Sequence, residues 1–270
     1  MQSYLYDSHT HSLRSVDAHF TVEELAEAAV AAGLAGFALT DHCEGNLWNR
    51  IEYGPRLAAA AEDVAKAKEQ YAGRLDIALG VEYGRILDTP DITMDTLNRH
   101  PYDVVLLSLH QPHGWEDLSE IDYSFHTKRQ LEDLVHQYFR ELIAAVEWNV
   151  TDVIAHLSYP LRPMAAQGVH LELRDFEEPV RILLKAAVER GMAVEVNTKG
   201  IRQKSGGIMP PLWVLELFRE LGGEYATIGS DAHRPQDIGS GLADGMELAR
   251  QAGFRHFAVY KNRKPVLHSL

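Results

Sequence analysis

The chain has 270 residues, 46% hydrophobic and 24% charged, a globular composition that excludes a disordered or fibrous protein. Its net charge of −13 argues against nonspecific nucleic-acid binding through a basic face, and its single cysteine excludes an intramolecular disulfide. No apolar run approaches the roughly 18 residues of a spanning helix, and MQSYLYDSHTH at the start has no basic stretch ahead of an apolar core. The expectation is one domain over residues 1–270, cytoplasmic, with neither membrane nor nucleic acid as partner.

Apolar, β-branched runs alternate along the chain with segments of helical period. Residues 4–8 form the first run, and a helix over about 22–32 follows. Thr21 opens it as N-cap with Glu24 three residues on, and Gly33 closes it. Residues 36–42 lead into an Ala-rich helix from about 55 to 71, and the third and fourth runs are 76–83 and 103–110. The next helix, about 128–148, sets Leu131, Leu134, Val135, Tyr138, Leu142 and Val146 on one stripe. Runs at 152–158, 192–198 and 225–233 precede helices over about 178–190, 211–221 and 241–252. Seven strand–helix units with near-continuous apolar strands predict parallel strands buried on both faces. That is a (β/α) barrel, with a doubly wound sheet as the alternative.

Chemistry in parallel α/β folds collects at the C-terminal strand ends. The first run ends in Asp7-Ser8-His9-Thr10-His11, the second in Thr40-Asp41-His42, the third in Glu82 and the fourth in His110. The fifth reaches His156, the sixth ends on Asn197, and the seventh ends in Asp231-Ala232-His233. His9 and His11, two residues apart, point to the same side and can approach one ion together, and Asp231 and His233 share that spacing. Each of these residues alone reads as a hydrogen-bonded histidine or a capping carboxylate. Together they predict a multinuclear metal site, whose imidazole and carboxylate donors suit Zn, Mn or Fe better than a Cys-rich structural site.

H-T-H at 9–11, T-D-H at 40–42, a strand-end Glu82, the single His110 and His156, and D-A-H at 231–233 resemble, in this order, the PHP (polymerase and histidinol phosphatase) superfamily. The resemblance implies an α/β fold, a distorted (β/α)7 TIM-like barrel with three divalent cations at its rim. It implies one ion on His9, His11, Glu82 and Asp231, a second on Glu82, His110 and His156, and a third on Asp17, His42 and His233. His19 is an alternative to Asp17. Asp7 and Asp41 adjoin ligands and are expected to orient imidazole rings, whereas Cys43 reads as packing.

TDHCEGNLWNR at 40–50, EVNTKGIR at 195–202 and TIGSDAHRPQDIG at 227–239 resemble the histidinol-phosphate phosphatase branch. In that branch two arginines past the fifth and sixth strands grip the substrate phosphate, and Arg162 and Arg202 occupy those positions. A planar guanidinium suits the task because it pairs bidentately with phosphate. The implied reaction is metal-dependent hydrolysis of L-histidinol phosphate, a small-molecule phosphate monoester. Glu82 would lie at the bridging position where a nucleophilic hydroxide forms, and Asp231, His233 or a water would protonate the leaving alkoxide. Glu44, Asn46 and Trp48 are placed to meet the substrate's amine and imidazole, and His113 is close enough to His110 to join them. The alternatives are a phosphoesterase of broader or nucleotide specificity and a non-catalytic, metal-stabilised accessory domain. Oligomeric state is left open.

Overall fold

Parallel strands follow one another around the molecule in the computed structural model, which describes residues 4–203 and 206–270. They are β1 (Tyr6–Thr10), β2 (Gly36–Leu39), β3 (His42–Glu44), β4 (Asp76–Gly84), β5 (Val104–Ser108), β6 (Val153–Ile154), β7 (Ala193–Asn197) and β8 (Ala226–Gly229). All except β3 pair in chain order, and β3 pairs with the far half of β4. The path nearly closes on itself. Thr10 meets Ala232 in a parallel bridge, His11 N–H donates to the Ala232 carbonyl, and Asp231 N–H donates to the His9 carbonyl, both at 2.8 Å. A seven-staved barrel results, and the doubly wound alternative falls away.

The apolar runs explain why these strands sit inside. β1, β5 and β7 are buried at every residue, so each needs cover on both faces. The helices supply the outer layer: α1 (Val22–Ala31), α2 (Trp48–Ile51), α3 (Tyr53–Gln70), α4 (Pro90–Arg99), α5 (Lys128–Trp148), α6 (Leu161–Ala166), α7 (Glu177–Glu189), α8 (Leu212–Glu220) and α9 (Leu242–Gln251). The expected stripe on α5 is buried throughout. Reciprocal capping boxes start α1 (Thr21 with Glu24) and α5 (Thr127 with Gln130). No helix among the described residues is long and apolar enough to cross a membrane.

The second run is cut after Leu39 into β2 and β3: Thr40 N–H still bonds to the Thr10 carbonyl of β1, and pairing with β4 resumes at His42 opposite Glu82. The fifth run pairs only over Val153–Ile154, since His156 at φ +23° turns the chain off the sheet. Helices α4 and α6 lie in stretches the periodicity left as connections. So does a terminal hairpin of β9 (His256–Lys261) and β10 (Lys264–Ser269). Its turn docks on the starts of the strands: Asn262 N–H donates to Asp103 Oδ1 at 3.1 Å, Arg263 pairs with Asp152, and Lys261 pairs with Asp76. The hairpin therefore closes the end of the barrel away from the histidines.

Candidate metal centre

Glu82 stands at the middle of the strand-end cluster, wholly buried. Its Oε1 lies 2.9 Å from His156 Nε2 and 3.1 Å from His110 Nε2. Its Oε2 lies 3.0 Å from His42 Nδ1, 3.1 Å from His9 Nε2 and 3.4 Å from His11 Nε2. Asp231 Oδ1 is 3.5 Å from His11 Nε2 and 3.4 Å from His233 Nδ1. Asp17 Oδ2 reaches His233 Nε2 at 2.9 Å and His42 Nε2 at 3.6 Å, so it is Asp17 that joins the cluster. All nine predicted metal ligands thus meet at one rim. The donor atoms of eight of them fall into four overlapping groups, His9, His11 and Asp231; His9, Glu82 and His156; His42, Glu82 and His110; and His11, His42 and His233, with Asp17 beside the last. His156 (φ +23°) and Asp231 (φ +54°) both hold left-handed backbone, which aims their side chains inward at some conformational cost.

The rings are held from behind. His9 Nδ1 donates to Glu195 Oε1 at 2.6 Å, His11 Nδ1 to Ser15 Oγ at 3.1 Å, and His110 Nδ1 to Glu44 Oε1 at 2.7 Å. Ser15 in turn donates to Asp41 Oδ1 at 2.8 Å, so Asp41 orients His11 through the serine. With Nδ1 protonated in each ring, the Nε2 lone pairs point at the common space. His9 Nε2 and His11 Nε2 stand only 3.0 Å apart. Two lone pairs that close repel unless a proton or a metal cation lies between them, so the donor set fits a divalent ion. Two glycines make room for this support. A Cβ on Gly84 would sit 2.1 Å from Glu44 Oε2, and one on Gly229 would sit 2.5 Å from the His9 Cβ.

Protons and charge pairing link these side chains to one another. Burial raises the Glu82 carboxyl, but His42, His110 and His9 outweigh it and hold it well below the usual range. Burial lowers His42, yet Glu82 and Asp17 push it up to about 10. His9 and His110 rise for the same reason, with Glu195 and Glu82 opposing burial at His9 and Glu82 and Glu44 opposing it at His110. His11 goes the other way, depressed by burial and then by His233 and His42.

A cavity of about 210 Å³ opens over the cluster, and Arg162, Lys199, Glu44 and Asp117 line it along with the histidines. Arg162 lies against the Tyr159 ring at 4.8 Å, and its Nη1 has no partner among the described residues. Arg202 instead donates to the Ser230 carbonyl at 2.8 Å and does not line the cavity. Glu44 is there, but Asn46 turns to Gln111 and Trp48 to a separate hollow, and His113 accepts from Arg85. Asp7 touches no imidazole ring. It accepts from Ser230 N–H and Gly239 N–H, both at 2.8 Å, and ties β1 to β8 because its carboxylate lies beneath the seam. Sequence reasoning missed Glu195 and Lys199. The signal for Glu195 was a charged residue in the middle of an otherwise apolar strand. Lys199 Nζ lies 2.8 Å from Asp231 Oδ1.

A family model described as the PHP domain matches residues 7–199. A Deinococcus radiodurans protein named probable histidinol-phosphatase is 29% identical over 265 residues, which span 96% of this chain and 98% of that one. A Clostridium acetobutylicum protein of the same name is 25% identical, over 93% and 95% of the two chains. The crystal structure of histidinol phosphate phosphatase from Lactococcus lactis subsp. lactis, complexed with zinc, L-histidinol and phosphate, matches with a TM-score of 0.83 at 19% identity. That match covers 98% of this chain and 100% of the other, and it bears on the fold.

Proposed function

The chain belongs to the PHP domain family, and from that premise we propose that it is a metal-dependent phosphomonoesterase hydrolysing L-histidinol phosphate to L-histidinol and phosphate in histidine biosynthesis. One observation carries the metal-dependent chemistry: eight imidazole and carboxylate side chains converge, with Asp17 against His233, and ring nitrogens are turned lone pair to lone pair by Glu195 and Ser15. The substrate is favoured by relatives named probable histidinol-phosphatase that match over nearly their whole lengths.

Three divalent ions, Zn, Mn or Fe, would be held by His9, His11, Glu82 and Asp231; by Glu82, His110 and His156; and by Asp17, His42 and His233. When bound, such ions lower the pKa of water to about neutrality and offset charge on phosphoryl oxygens. The chain's own residues then do the rest. Glu82 ties two of the ligand sets together. Arg162, with its Nη1 free, faces the cavity and takes a phosphoryl oxygen. Arg202, also expected to grip the phosphate, buttresses the Ser230–Asp231 backbone from outside the cavity lining, and would reach a phosphate only by leaving the Ser230 carbonyl. Hydrolysis breaks the P–O bond, and the departing alkoxide needs a proton. Burial raises the Asp231 carboxyl, but Lys199 and His9 hold it well below the usual range. Asp231, His233 or a water would give the proton. The activity would reside in one cytoplasmic domain, whose only cysteine, Cys43, is free and buried.

The test is phosphate release from L-histidinol phosphate, a nucleoside monophosphate and an aryl phosphate, with and without chelator. Strong preference for the first, lost on chelation, is the expected result. Equal rates on all three would leave a phosphoesterase without this specificity. No turnover by metal-replete protein would overturn the enzymatic reading.

A further inference from the structure

We propose that Lys199 stands in for a metal ion at Asp231: its ammonium neutralises that carboxylate until a divalent ion arrives, and once displaced it binds the substrate's phosphate in the cavity. The proposal rests on the metal-dependent phosphomonoesterase reading above.

Lys199 opens the short 3-10 turn Lys199–Arg202 that follows β7, and its N–H is pinned to Asn197 Oδ1 at 3.1 Å. Its Nζ lies 2.8 Å from Asp231 Oδ1 and 3.4 Å from His233 Nδ1. Oδ1 is also the Asp231 oxygen 3.5 Å from His11 Nε2, so it is placed to join His9 and His11 as a metal ligand. An ammonium and a divalent cation at one carboxylate oxygen repel each other, and the Asp231 side chain is only 4% exposed, with little solvent to screen them. Loading the ion therefore weakens the hold of Asp231 on Lys199 and favours its release.

The lysine has somewhere to go. Its side chain is 22% exposed on a flexible four-carbon stem, and it lines the same cavity as Arg162, His110 and His156. Arg202, three residues on, is engaged with the Ser230 carbonyl and lies outside the cavity lining. Lys199 and Arg162 are therefore the lysine and arginine side chains that line the cavity among the described residues. A phosphate dianion that enters beside the ions meets a lysine freed by those same ions. One residue thus lowers the affinity of the empty site for metal and raises the affinity of the loaded site for substrate.

Three proteins test this: wild type, Lys199→Met, which keeps the stem without the charge, and Lys199→Arg. Each is stripped with chelator and titrated with Mn²⁺ alone, with folding followed by circular dichroism. The expected results for Lys199→Met are about ten-fold tighter binding of one Mn²⁺ and about a ten-fold higher KM for L-histidinol phosphate, with kcat changed less than three-fold. Lys199→Arg should keep the low KM. If Lys199→Met does not fold, Lys199→Gln takes its place. Unchanged Mn²⁺ affinity, or an unchanged KM, in a folded charge-free variant overturns the proposal while the phosphatase reading stands. A wild-type protein that binds no Mn²⁺ overturns both.

Discussion

Replacing Glu195 by Gln should cost the protein metal rather than fold. The carboxylate accepts from His9 Nδ1 at 2.6 Å, from His156 N–H at 2.8 Å and from Asn197 Nδ2 at 3.2 Å, so three donors converge on two oxygens. Gln has nearly the same shape but only one accepting oxygen and an NH2 group. If the oxygen faces His156 and Asn197, the NH2 faces His9 Nδ1, and His9 must move its proton to Nε2, where the ligand lone pair was. If the amide is reversed, its NH2 opposes the buried His156 N–H, an unmatched donor worth about 1–3 kcal/mol. Water cannot relieve either arrangement, because His9 and Glu195 are each no more than 1% exposed. Loss of a carboxylate behind a ligating histidine typically weakens metal binding by about 10–100-fold, or about 1.4–2.8 kcal/mol. The assay is competition for metal between the stripped protein and a chromophoric chelator, with activity measured against metal concentration. Activity should recover as metal is raised. A folded Glu195→Gln protein with wild-type metal affinity would refute the idea that Glu195 sets the His9 tautomer.

Gly84→Ala should act on the same centre from another side: its Cβ would drive Glu44 off His110, so metal-limited activity should fall while metal-saturated activity falls less. The raised His42 gives a pH dependence with a definite sign. Its folded pKa, about 10, exceeds an unfolded value of about 6.5, so the metal-free protein holds this stabilisation fully below pH 6.5 and loses it as pH rises through 10. Denaturant melts of the stripped protein should show that loss. Metal must displace the same proton, so calorimetry in buffers of different ionisation heat should show proton release at pH 7 and tighter binding as pH rises. Asp7→Asn should loosen the barrel seam by about 2–4 kcal/mol, since a charged acceptor of several buried bonds becomes half donor. Urea unfolding at constant m-value measures it, and a change under 1 kcal/mol would remove Asp7 from the seam.

The candidate ligands were legible because they interrupt apolar runs at one repeated place, the strand's C-terminal end. The burial that makes β1 and β5 readable also makes a terminal His or Asp stand out. What stands behind the ligands was not legible. Glu195 lies within β7 and faces inward with Asn197, two residues on, but alternation in one strand does not tell which other strand lies opposite. The pairing of Glu44 with His110 joins β3 to the end of β5, and it depends on the break after Leu39 that lets β3 form. Which cation of Lys199-Gly200-Ile201-Arg202 faces the cavity depends on the geometry of one short turn, and side-chain chemistry alone favoured the arginine. The terminal hairpin went unread because β10 is mostly exposed and no helix follows β9.

Charge resolves differently at the two ends of the barrel. At the strand starts Asp76, Asp103 and Asp152 are paired with Lys261, Lys68 and Arg263, so the acids there are answered by cations that stay in place. At the strand ends the carboxylates are answered by imidazoles, whose positive charge is a proton that metal can displace. Of Lys199 and Arg162, which line the cavity, Lys199 is paired with Asp231. Glu44 and Asp117 line the same space. A protein of net charge −13 thus offers an incoming phosphate little free positive charge of its own. On the proposed function the attraction would arrive with the metal, which would exchange protons for divalent charge and loosen Lys199 in the same event. Phosphate affinity and metal occupancy are then one linked equilibrium, and the acidic balance of the whole chain does not oppose it.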